Sequence, residues 1–144
     1  MAVARYYHGF ELFITLTSNP NWPEIKNKLL PAQSPADCPD LVVYVCHLYQ
    51  NLLITNLMDW NIFGDTVAQV HSIEFQKCGL PHMHLLLCLL PQFRPLDPEQ
   101  VNTIISATWP DPEHHPHLFE IIHHCMVHGP YGPHNPCGPC MQDG

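Results

Sequence analysis

Positive charge is scarce in this chain. Arg5, Lys26, Lys28, Lys77 and Arg94 are its only lysines and arginines, against thirteen acids, and the formal net charge is −8. That excludes the broad basic footprint with which many proteins grip a polyanion backbone, unless a metal ion or another segment supplies charge. Also missing is an uninterrupted run of the ~18 apolar residues that a membrane span needs. Met1–Tyr7 has one arginine and no apolar stretch of the kind that opens a signal peptide. No internal repeat is present. Tyrosine is sparse after residue 84, where Tyr131 is the only one.

What is present is a hydrophobic fraction of 46%, ordinary for a folded chain, with sixteen prolines, twelve histidines and seven cysteines in 144 residues. That length suffices for one real core. The cysteines are odd in number, and Cys46, Cys88 and Cys125 sit in apolar patterns that suit buried, reduced thiols.

The pattern along the chain predicts an α+β fold. Phe10–Thr17 reads as a strand. Pro23 suits the first turn of a short helix ending near Leu30. Asp40–Asp59 has apolar residues at helical spacing over about five turns. Asp65–Gln76 and Pro81–Leu90 read as strands. Asp97-Pro-Glu99 opens a helix running to about Ala107, with an N-cap, a proline at the first position and an acid in the first turn. A last short helix spans Leu118–Val127. The expected core domain is 1–127 (about 10–127), followed by a Gly/Pro/Cys-rich segment, 128–144.

The most informative stretch is Glu74-Phe-Gln-Lys-Cys-Gly-Leu-Pro-His-Met-His84, leading into an apolar run. In a strand His82 and His84 share one face. A three-residue loop, Lys77-Cys78-Gly79, would place glycine in the left-handed position such loops require. It would also set Glu74 opposite His82, whereas a slip of one residue would send Glu74 to the other face. Two imidazoles and a carboxylate with open positions suit a catalytic divalent metal. A satisfied pair of core histidines is the competing reading.

Two further sets stand out. His124, His128, Cys137 and Cys140 read as H-x3-H-x8-C-x2-C and are a candidate Zn²⁺ site, while His114, His115 and His117 read as a solvated loop. Trp22, between prolines, either stacks on a nucleic-acid base or caps the core. Trp60 and Trp109 read as packing residues.

Several blocks resemble the N-terminal, helicase-like domain of Helitron transposases, within the HUH rolling-circle nucleases. They are Leu12-Phe-Ile-Thr-Leu-Thr-Ser-Asn-Pro-Asn-Trp-Pro-Glu-Ile25, Asp40-Leu-Val with the long helix, and Ile62-Phe-Gly64. The resemblance continues through Ile73–Leu87, including Gly79-Leu-Pro-His-Met-His84, then Ile105–Glu113, Met126–Pro133, Asn135-Pro and Pro139-Cys-Met141. It implies an antiparallel sheet flanked by helices, HUH-nuclease-like and truncated relative to the family. It also implies Mg²⁺ or Mn²⁺ held by His82, His84 and a third ligand, for which Glu74 is the geometric candidate. The implied partner is single-stranded DNA, nicked and transferred in rolling-circle fashion, with no membrane, and the implied location is nuclear.

The family's paired tyrosine nucleophile and its helicase region have no counterpart here. Cys78 and Tyr131 stand where the family usually has a basic residue and a cysteine. The isolated chain is therefore expected not to nick DNA. The rival expectations are a non-enzymatic DNA- or protein-binding remnant of a decayed or domesticated transposon, and a zinc hydrolase.

Overall fold

Three antiparallel strands carry the fold: β1 (Leu12–Thr17), β2 (Thr66–Phe75) and β3 (Pro81–Leu89), in the order β1-β3-β2. Among the described residues five α-helices accompany them: α1 (Ala2–Tyr7), α2 (Pro23–Lys26), α3 (Pro39–Asp59), α4 (Pro98–Ile104) and α5 (Pro116–Cys125). This computed structural model describes residues 2–76, 79–106 and 108–126. The class is α+β, as the pattern of the sequence predicts. The chain forms two compact units, Met1–Ile104 and Ile105–Gly144. The boundary expected at 127/128 lies at the end of the described residues.

In the first unit, β3 alternates from Pro81 to Leu87, and Cys88 beyond it is also buried. Pro81, Met83, Leu85, Leu87 and Leu89 are buried, while His82, His84 and Leu86 are only partly covered. The buried row packs with Leu12 and Leu57, and Leu53, Ile54, Phe63 and Ile104 close around it. Helix α3 therefore lies on the leucine side of the sheet. A second cluster joins α2 to α3 through Ile25, Val42 and Val45, with Trp22 and Tyr49 packed against it.

Helix α3 starts with Pro39 in its first turn and Asp40 near the positive end of the helix dipole. It ends where Trp60 caps it and Asn61 takes a left-handed φ of +47°. By length and composition α3 could cross a membrane. Here Val42, Val45, Cys46, Gln50 and Leu57 are buried within the protein, as in a core helix. Its outer side leaves Val43, Tyr44, Leu48 and Leu52 exposed.

Two features mark the end of the sheet at Leu89. Arg94 pairs with Glu11 at 3.0 Å and donates to the Leu89 carbonyl at 3.1 Å and the Tyr7 carbonyl at 3.0 Å. Glu11 in turn accepts from the Leu89 N–H at 2.8 Å. This network ties α1, β1 and β3 together over Cys88, so one of the few strong cations is spent inside the fold. Between Thr66 and Ala68 the β2–β3 register shifts, leaving Val67 as an extra residue.

Several expected bounds move. Helix α2 stops at Lys26, because the chain turns back through Asn27 rather than continuing to Leu30. The loop before α3 holds a turn closed by the Gln33 N–H on the Leu30 carbonyl and a 3-10 turn, Pro35–Asp37, fixed by reciprocal bonds between Ser34 and Asp37. Helix α1 is additional to the sequence reading.

Among the described residues of the second unit, α5 is the one helix. Asp111 receives the Glu113 N–H at 2.8 Å and contacts His114 Nδ1 at 2.6 Å, and these bonds, the backbone one first, hold its carboxyl below its ordinary value. Trp109, Phe119 and His123 form a small aromatic group. Trp60 is largely exposed, contrary to a packing role, whereas Trp109 packs against Phe119 and His123 although half of it is exposed. His117 lies in the first turn of α5 rather than in a loop.

Candidate metal centre

Strand β3 is central, so each histidine has a neighbour on both sides. Thr17, His82 and Glu74 form one cross-strand row, and Thr15, His84 and Ser72 form the next. Residues directly opposite in an antiparallel pair point to the same face. All six side chains therefore stand on the face away from α3, and β1 and β2 are the outer strands on either side.

The register that brings Glu74 to the histidines comes from the turn. Gln76 N–H bonds to the Leu80 carbonyl at 3.0 Å, and Gly79 N–H to the Gln76 carbonyl at 2.8 Å. Gly79 has φ +79°, the conformation that glycine adopts without a steric penalty. This is the three-residue loop the sequence predicts, although Lys77 and Cys78 lie outside the described residues.

Glu74 Oε2 lies 3.6 Å from His84 Nε2. Two donors sharing one ion at roughly 2.1 Å stand roughly 3.0–3.6 Å apart, for ligand angles from a right angle upward. That pair fits a common divalent cation. The ring of His82 is 4.5 Å from that of His84, nearly edge-on. Its Nδ1 is engaged with Thr17 Oγ1 at 2.7 Å, which leaves Nε2 as its donor. Among the described residues, no three His, Cys, Asp or Glu side chains converge on a single point. The arrangement is a two-donor seat, one imidazole and one carboxylate, with the second imidazole beside it. Glu74 is 67% exposed and His84 29%, so solvent and ligand reach the pair from the open face.

Two residues at this site were not singled out in the sequence. Thr17 bonds His82, and Phe13 stacks parallel to His84 with centroids 5.4 Å apart. Phe13, Thr15 and Thr17 alternate along β1, and that alternation was the available signal. What it lacked was the pairing of β1 with β3.

Trp22 is partly buried and stacks on Tyr49 at 4.1 Å, while Tyr49 donates to Glu24 at 3.1 Å. One face of the indole is therefore taken up by packing, and Trp22 belongs to the α2–α3 cluster rather than to the histidine face. Of the candidate zinc set, His128, Cys137 and Cys140 lie outside the described residues. His124 contributes only its place in α5.

A family model described as the Helitron helicase-like domain at the N-terminus matches residues 1–87. The match takes in β1, α3, β2, the hairpin and both histidines, and it ends within β3. No curated protein matches the chain.

Proposed function

The chain belongs to the Helitron helicase-like N-terminal domain family, a transposon-related and DNA-interacting family, and from that premise we propose that it is the metal-binding part of a DNA-nicking, rolling-circle module. The observation that carries this reading is the Thr17–His82–Glu74 row beside His84, on an open sheet face. Mg²⁺ or Mn²⁺ bound there would draw charge from a scissile phosphate. His84 Nε2 and Glu74 Oε2 would hold the ion and His82 Nε2 would complete the set. The exposed threonines and Ser72 flank the path of a single strand across the face.

The nucleophile is a separate matter. Tyr44 and Tyr49 lie on α3, across the sheet from the histidines. Tyr7 stands beside Cys88, four residues along β3 from His84, or about 13 Å of strand. Tyr6 precedes it on α1, edge-on to the Tyr7 ring, and Tyr131 lies outside the described residues. The isolated chain is therefore expected to bind metal without forming a covalent DNA adduct.

Calorimetric titration with Mn²⁺ tests the metal reading. The wild-type chain binds one ion at the sheet face, and the double variant His82→Ala, His84→Ala loses it. Equal binding by both proteins overturns the assignment. Incubation with single-stranded DNA and Mn²⁺ gives no 5′-phosphotyrosyl product, and detection of one overturns the proposed absence of a nucleophile.

The non-enzymatic remnant is the second reading, and the scarcity of base favours it. With Arg94 held in the Glu11 network, few cations are left to contact phosphates, each of which would add affinity and salt dependence together. Absence of metal binding in the wild type selects that reading.

A further inference from the structure

We infer that Thr17 is a positioning residue for His82: it holds the imidazole in the Nδ1–H tautomer and leaves the Nε2 lone pair facing outward. The inference rests on the metal reading above for its purpose, but not for its geometry.

Thr17 and His82 are direct cross-strand partners, and their side chains meet at 2.7 Å through Oγ1 and Nδ1. A hydroxyl accepts a hydrogen bond as readily as it gives one, so Oγ1 can accept from the Nδ1–H. Neutral imidazole has one N–H, and a proton kept on Nδ1 leaves Nε2 as a ligand. Metal-bound histidines donate their second N–H outward in this way, which fixes both ring rotation and tautomer. Thr17 is well suited to the task because a β-branched side chain in a strand has little freedom at χ1. Its partner His82 lies on the central strand, whose backbone is bonded on both sides. His84 is oriented differently, by the Phe13 ring and the Glu74 carboxylate.

Thr15 provides an internal comparison. It stands opposite His84, on the same strand and the same face, and like Thr17 it is exposed. A change at Thr15 alters strand chemistry equally without touching His82.

The test is long-range ¹H–¹⁵N NMR of the metal-free chain, at a pH where imidazole is neutral, on wild type, Thr17→Val, Thr17→Ser and Thr15→Val. Wild type, Thr17→Ser and Thr15→Val show His82 protonated at Nδ1, and Thr17→Val shows a mixture or the Nε2–H form. An unchanged tautomer in Thr17→Val, or a wild type already protonated at Nε2, overturns the inference. In parallel, Thr17→Val weakens Mn²⁺ binding by roughly 10–100-fold, and Thr17→Ser restores it. If the wild type shows the Nδ1–H tautomer but binds no Mn²⁺, the metal reading fails while Thr17's hold on His82 stands.

Discussion

Gly64 and Gly79 both adopt positive φ, +95° and +79°, yet a methyl group would have different consequences at each. At Gly79 an added Cβ meets nothing within 4 Å. The cost of Gly79→Ala is then the backbone penalty alone, roughly 1–2 kcal/mol. At Gly64 the same carbon would lie 2.4 Å from Phe93 Cγ and 2.7 Å from its Cβ. The Phe93 ring can swing aside but its Cβ moves only with the backbone, so steric strain adds to the backbone penalty, and Gly64→Ala costs more than roughly 2 kcal/mol. Urea denaturation of the two alanine variants should show Gly64→Ala with the lower midpoint, and the reverse order would contradict the packing described at Phe93. Ile62-Phe-Gly64 is also one of the blocks on which the family resemblance stands, and here the glycine has a physical reason.

At the level of elements, β3 has the greatest influence on stability. Leu85 is fully buried in the cluster beneath α3, so Leu85→Ala should destabilise by about 2–5 kcal/mol. Leu48→Ala, on the exposed side of α3, should stay within about 0.5 kcal/mol. Chemical denaturation separates the two, and equal losses would mean that the outer side of α3 is covered in solution. The β2–β3 hairpin was legible in the sequence because its information is local: strand alternation, the loop parity and Gly79 all agree, and they place Glu74 beside the histidines. The pairing of β1 with β3 was not legible, since Thr17 and His82 are 65 positions apart and no local pattern selects a neighbour over that distance. Thr17 and Phe13 were missed for that reason, and Trp22 remained open between stacking and packing. Helix α1 escaped notice because it lacks an acidic first turn and any residue pattern longer than two turns.

Across the whole molecule, the pH dependence of stability is set in part by two buried thiols. Burial pushes Cys46 up, and burial followed by the Glu11 carboxylate pushes Cys88 up. The folded chain thus keeps protons that the unfolded chain gives away. Stability from these groups is complete below the ordinary thiol value of about 8.5 and declines as pH rises through it. The denaturation midpoint should therefore fall between about pH 7.5 and about pH 10 by less in the double variant Cys46→Ala, Cys88→Ala than in the wild type. Equal falls would assign the alkaline loss to other groups. The bulge at Val67 has a different kind of consequence, one for descent. Thr66 faces Leu89 and Ala68 faces Cys88, so a codon gained or lost at this point leaves every later pairing in place. A codon gained or lost between Gln76 and Leu80 would reverse the parity of the hairpin and carry Glu74 to the far side. A change of chain length is therefore expected to be tolerated at Val67 and to dismantle the histidine face at the hairpin.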